Sequence, residues 1–226
     1  MSYHPENELL KRYATGEIDS GHGVAVASHI DSCSHCRKIV ADFEEEAAEE
    51  LVAAGSEGTL TGSDLEIVFD NMLEDIMTLD EDFSEPKSRK PALVKVNGKS
   101  FRVPSALTPL VERMGEWRSY GGKVFTSSID LNEDCRVSLL YISQGVQVPQ
   151  HTHKGFESTL VLHGRFSDEK GTYSQGDFIR EDSRTKHSPQ TPPDQDCLCL
   201  SILTEPMIFT QGVARIFNRF GKGMYP

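Results

Sequence analysis

Two groups of residues in this chain have the types and spacing of metal ligands. The first is His151-Thr152-His153 followed by Glu157, with His187 further on. Two histidines at i and i+2 on a strand project to the same face, so both imidazoles can reach one ion. Glu157 adds an oxygen ligand from the same hairpin, and His187 supplies a third imidazole. A His₃Glu set suits zinc, manganese, iron, nickel or copper and leaves a coordination position open. The second group is His29-x-x-x-Cys33-x-x-Cys36. Two thiolates and an imidazole point to zinc rather than to a hard cation.

A closed structural zinc site needs a fourth ligand, and His4, His22 and His35 are the candidates. His35 sits between the cysteines, where a tight turn directs it away. His22 is seven residues before His29, about 10 Å along a helix. His4 is free of such constraints, because a short first helix can fold back over the next two. Two further cysteines, Cys197 and Cys199, are at i and i+2 on an apolar run soon after His187, placing both thiols on one strand face near the metal. They are either buried packing groups or the point at which an oxidant acts.

Helices and strands must place these ligands. Leu9, Leu10 and Tyr13 predict a short helix ending at Gly16, and Asp19 is the expected N-cap of a second helix to about Ile30. Gly21 and Gly23 should weaken that second start. Cys36, Ile39, Val40, Phe43, Ala47 and Leu51 recur at helical spacing in a third. Residues 54–62 are small, polar and glycine-containing and read as a joint. Ser63-x-x-Glu66 then has the capping-box pattern, and Leu65, Val68, Phe69, Met72 and Ile76 line one face of a fourth helix. That stripe either packs on the first three helices or closes around a partner.

The polar, proline-bearing stretch around 81–90 is the expected linker between a helical domain at 1–80 and a second domain at 91–226. Beyond it come short apolar runs at 124–128, 137–142, 158–162, 176–179 and 198–203, punctuated by turn residues. They predict an antiparallel barrel or sandwich. Residues 1–90 hold seven Lys/Arg against twenty-one Asp/Glu, a balance of −14, whereas the remainder is near neutral. Phosphates need cationic partners, so no direct contact with nucleic acid is expected, and a basic protein is the better match. No apolar run approaches the ~20 residues of a membrane span, and the opening MSYHPENELL is not a signal sequence; a cytoplasmic protein is expected.

The barrel ligands resemble the first motif of the cupin superfamily, G(X)5HXH(X)3–4E(X)6G, met at Gly145, His151, His153, Glu157 and Gly164. The second motif is partly met. Gly176 and His187 keep its spacing, but Asp182, Arg184 and Thr191 stand where proline, glycine and asparagine are expected. The helical part is similar to the zinc-binding anti-sigma domain, whose ligand positions match His4, His29, Cys33 and Cys36. In this order the two resemble the ChrR-type anti-sigma factors of bacteria, from His4 to the strand holding Cys197 and Cys199. The resemblance implies a multidomain α and β chain, a zinc-binding helical domain of about four helices followed by a cupin jelly-roll barrel. It implies zinc in the first site and zinc, manganese, iron or nickel in the second. It also implies 1:1 binding to a group IV (extracytoplasmic-function) sigma factor, released under oxidative stress such as singlet oxygen, and the cupin fold allows a homodimer. The competing expectation is a metal-dependent cupin enzyme of dioxygenase or isomerase type.

Overall fold

The computed structural model describes residues 1–57, 63–78, 92–211, 213–216 and 218. Three helices, α1 (Asn7–Ala14), α2 (Ser20–Ile30) and α3 (Ser34–Glu57), form the start. Asp19 caps α2 as the sequence predicts, its side chain accepting from the His22 amide at 3.0 Å. The glycines that should weaken this start have a packing reason. A Cβ at Gly21 would lie 2.8 Å from Val137 Cγ2, so glycine lets the helix approach the barrel wall. α3 continues to Glu57, four residues into the stretch expected as a joint, and α4 spans Ser63–Met77. The linker at 81–90 lies outside the described residues.

The rest is an antiparallel β structure. A hairpin comes first, β1 (Leu93–Val96) and β2 (Lys99–Arg102), joined by Asn97 and Gly98 at φ +49° and +73°. These are the left-handed angles of a two-residue hairpin turn. A 3₁₀ turn at Ser105–Leu107 and a single helical turn, α5 (Thr108–Val111), follow. Then come β3 (Arg118–Tyr120), β4 (Val124–Ile129), β5 (Arg136–Ile142), β6 (His151–His153), β7 (Glu157–Ser167), β8 (Thr172–Ser174), β9 (Phe178–Glu181), β10 (Cys197–Leu203) and β11 (Met207–Phe209). The main sheet runs β3-β4-β5-β10-β7-β8, with β9 also on β7, and β6 pairs with β11. β10 at its centre is buried at all seven positions, which explains a run that is apolar except for Ser201.

β7 continues past Gly164, where the sequence suggested a stop at 162. Gly164 has φ +77°, and a Cβ there would fall 1.9 Å from the Asp196 carbonyl oxygen. No other residue fits so close an approach. Asp196 itself is tied by Lys99 Nζ and the Tyr141 hydroxyl, each at 2.6 Å.

Helices and barrel share one hydrophobic core. Leu9, Leu10, Ala25, Val26 and Val40 pack in the same buried cluster as Val94, Leu107, Val137, Leu139 and Leu198. α4 differs. Phe69, Met72, Leu73, Ile76 and Met77 are exposed, with Phe69 at 63%. The side chains of Leu65 and Val68, the other two members of the predicted stripe, lie outside the described residues.

Candidate metal centres

In the barrel, β6 carries His151 and His153 with buried–intermediate–buried alternation, so both rings face inward. Glu157 opens β7 across a tight turn, and His187 is bridged to His151 by paired backbone hydrogen bonds of 3.1 Å. Four donor atoms converge. His151 Nε2 is 2.9 Å from His187 Nε2, His153 Nε2 is 3.4 Å from His187 Nε2, and Glu157 Oε2 is 2.9 Å from His153 Nε2. All four residues are buried.

The outer contacts decide which ring nitrogens face the centre. His151 Nδ1 lies 2.9 Å from the Pro149 carbonyl, which can only accept, so that nitrogen carries the proton and Nε2 keeps its lone pair. His187 Nδ1 is 3.2 Å from Asp168, whose carboxylate also accepts from the amides of Lys170 and Gly171. Two ring nitrogens with inward lone pairs 2.9 Å apart repel each other. A divalent cation between them turns that repulsion into coordination, and the residues present fit one. The Ser201 hydroxyl fixes the outer oxygen of Glu157 at 3.0 Å. Pro149, Asp168 and Ser201 were not found by motif reading, since carbonyls and turn aspartates carry no spacing signature.

Burial is the dominant influence on His151 and pushes its pKa from 6.5 down to about 4. Burial alone would raise the Glu157 carboxyl, but the neighbouring His153 and His187 outweigh it and hold the group well below the usual range. A histidine depressed in the folded state binds fewer protons than in the unfolded chain between pH 4 and 6.5. The metal-free protein should therefore gain stability as pH rises through that window, on the order of 3 kcal/mol from His151 before its neighbours are counted. Urea unfolding of the chelator-treated protein at pH 5 and pH 7 measures this, and His151→Gln should flatten the difference. An unchanged pH slope in that variant would refute the assignment.

The departures from the second cupin motif are compensated locally. Asp182 accepts from the Arg184 amide at 3.0 Å and from its Nε at 2.7 Å, closing by side chain the turn that proline and glycine would make. Thr191 replaces asparagine as a bridge, donating to the Ser143 carbonyl at 2.6 Å and accepting from the Val146 amide at 3.0 Å.

A cavity of about 610 Å³ opens beside this cluster, with walls that include Leu140, Ile142, Phe166 and Phe209. His151, Glu157, His187 and Cys199 all line it. Cys197 and Cys199 have their sulfurs 3.5 Å apart, as expected for a shared face, and both are buried and unbridged. The hydrogen bond with Cys197, and then burial, push the Cys199 thiol well above its ordinary pKa.

At the start of the chain, His4 Nδ1 lies 3.4 Å from His29 Nε2, from Cys33 Sγ and from Cys36 Sγ. His29, Cys33 and Cys36 are buried, and all four donor atoms lie within 4.8 Å of one another. Two soft sulfurs and two imidazoles at that separation, with no disulfide formed, fit a tetrahedral metal. Of the three candidates for fourth ligand, His4 is the one brought in. His22 turns away, holding Asp19 at 2.7 Å and the Ser158 hydroxyl at 3.0 Å. The His35 ring packs against His4 from outside, centroids 5.3 Å apart. His163, in the barrel, packs at a tilt against Phe101 with centroids 5.0 Å apart and is not among the clustered ligands.

Residues 123–205 match the family model described as a ChrR cupin-like domain. The chain is 28% identical to the anti-sigma-E factor ChrR of Cereibacter sphaeroides over 97% of its own length and 98% of that protein's. It also superposes on a crystal structure from Rhodobacter sphaeroides of SigE in complex with the anti-sigma ChrR. That match has a TM-score of 0.66 at 25% identity, covering 89% of this chain and 98% of the other. A match to the ChrR cupin-like model at 123–205 and a similarity to an anti-sigma factor that runs from end to end are what this chain shares with these proteins.

Proposed function

We propose that this chain is a bacterial anti-sigma factor that binds a group IV sigma factor and keeps it from core RNA polymerase. The observation that carries the reading is the similarity to an anti-sigma factor over 97% of the chain, helices and barrel together. It makes the protein a regulator rather than an enzyme. The chemistry agrees. Residues 1–90 carry a balance of −14, which steers encounter with a basic sigma surface. The exposed Phe69, Met72 and Ile76 of α4 are apolar groups that an amphipathic helix buries in a partner's groove. Residues 1–80 are the sigma-binding domain in this reading and 91–226 the cupin domain. The place of action is the cytoplasm, and no helix among the described residues is long and apolar enough to cross a membrane.

Zinc is the metal assigned to His4, His29, Cys33 and Cys36, because it suits two thiolates in a closed tetrahedral site. The His₃Glu set accepts zinc as well, and manganese, iron or nickel fit the same donors. Co-expression with the sigma factor is expected to yield a 1:1 complex, and the purified protein should inhibit transcription from promoters of that sigma factor. Failure of both would overturn the reading.

Release of the sigma factor under oxidants such as singlet oxygen is assigned to the cupin domain. Replacing both Cys197 and Cys199 with Ser, or His151 and Glu157 with Ala, is expected to leave repression intact and to blunt the response to oxidant. A reporter fusion driven by the sigma factor measures it. A full response in both variants would remove the barrel from sensing.

A further inference from the structure

One turn of the barrel touches one imidazole ligand of the N-terminal centre and holds the segment that carries the other. This turn, residues 174–178, joins β8 to β9. The carbonyl oxygen of Gly176 lies 2.8 Å from His29 Nδ1. A carbonyl only accepts, so His29 carries its proton on Nδ1 and presents the Nε2 lone pair to His4, Cys33 and Cys36. His29 is fully buried, which leaves water no access to that nitrogen.

The next residue of the turn, Asp177, holds the segment that carries His4. Its Oδ1 accepts from the backbone amides of Ser2 at 2.7 Å and Tyr3 at 3.2 Å. Its Oδ2 accepts from the Ser174 amide at 2.8 Å, which fixes the carboxylate. The amide of Phe178 then donates to the Tyr3 carbonyl at 3.1 Å, extending β9 by one strand-like contact. The Tyr3 ring sits edge-on to Tyr173, centroids 4.7 Å apart. His4 is the residue that follows. Asp177 is 3% exposed, and a buried carboxylate with three amide donors is a built anchor rather than a surface contact.

We propose that the turn at Gly176 and Asp177 is the outer shell of the N-terminal metal site, so that the cupin barrel positions two of its four ligands. Cys33 and Cys36 are placed by the start of α3, and the imidazoles of His4 and His29 by the barrel. A ligating histidine whose other nitrogen is fixed by an acceptor is oriented and made more basic, and losing such a partner typically weakens metal binding about 10–100-fold. β9 leads from this turn to Glu181, which lies opposite the barrel ligand Glu157 in register. The β7–β9 pair therefore joins the turn beside the N-terminal site to the barrel ligand Glu157.

The test uses the full chain loaded with cobalt. Its thiolate charge-transfer band reports the Cys33/Cys36 site alone. Asp177→Ala is expected to weaken cobalt binding at that site by about 10-fold or more, while binding at the His₃Glu site is unchanged. Asp177→Asn, which keeps an acceptor oxygen for Ser2 and Tyr3, should recover part of the loss. In the zinc-loaded parent chain, ¹⁵N-histidine spectra should place the His29 proton on Nδ1 and show it protected from exchange. Unchanged cobalt affinity, an equal loss at both sites, or a rapidly exchanging His29 ring proton would each overturn the proposal. A parent chain giving no thiolate band would overturn the metal assignment on which it rests.

Discussion

A chain carrying Cys33→Ala with Cys36→Ala is expected to lose the N-terminal metal and capture of the sigma factor together. The ion would tie the segment before α1, the end of α2 and the start of α3 through His4, His29, Cys33 and Cys36. Among the described residues, the buried apolar side chains of these helices besides the two cysteines are few, Leu9, Leu10, Ala25, Val26 and Val40, and so small a core leaves much for the ion to supply. Structural zinc supplies on the order of 10–16 kcal/mol in small domains at neutral pH. Without a metal, burial and the neighbouring Cys33 push the Cys36 thiol up to about 12, so that thiol stays protonated and contributes no charge to any ion pair. Metal analysis should fall to the content of the barrel site alone, and pull-down of the sigma factor should fail. A variant that still binds the sigma factor would separate partner binding from the metal.

Phe69→Asp with Met72→Asp should have an effect of similar size by a different route. Phe69 and Met72 are 63% and 56% exposed, so the substitutions cost the free protein little, and its melting temperature should hold. In the complex they would place two carboxylates where apolar anchors are expected. Removing one buried anchor costs about 2–4 kcal/mol, and a buried unpaired charge adds to that. Affinity for the sigma factor is expected to fall about 1000-fold or more, roughly what two such losses amount to. Calorimetric titration of purified partners measures it. Retained affinity would mean that α4 is not the docking element.

Both experiments rest on features that were legible in the sequence to different degrees. The metal ligands were readable because coordination demands particular residue types at fixed spacing. His151, His153, Glu157 and His187 converge as the motif implies, and His4 joins His29, Cys33 and Cys36. The central strands β5 and β10 were readable because burial on both faces leaves runs that are apolar but for one serine each, Ser138 and Ser201. The hairpin β1–β2 was missed although Asn97-Gly98 is the signal for its turn, since one short alternating run beside a polar stretch carries little weight alone. The short strands β3, β8 and β11 hold three residues each, too few for any period to show, whereas β6, equally short, was readable from its two histidines.

The close seating of helices on the barrel was the larger gap. It depends on contacts more than a hundred residues apart in sequence, such as His22 with Ser158 and His29 with Gly176. No local pattern announces those. Gly21 illustrates the point: read locally it weakens a helix, and in the fold it is where α2 comes closest to Val137. The outer contacts Asp168, Asp177 and Ser201 escaped for the same reason.

The bare face of α4 also bears on how the cell must handle this protein. Phe69, Met72, Leu73, Ile76 and Met77 stand in water until a partner covers them. Apolar stripes of that kind invite self-association and attract the proteases and chaperones that patrol for misfolded chains. A surplus of this protein over its sigma factor would thus be short-lived, and the two would need to be made in matched amounts. Repression would then be set by the ratio of synthesis, with the uncovered helix acting as the mark by which excess repressor is cleared.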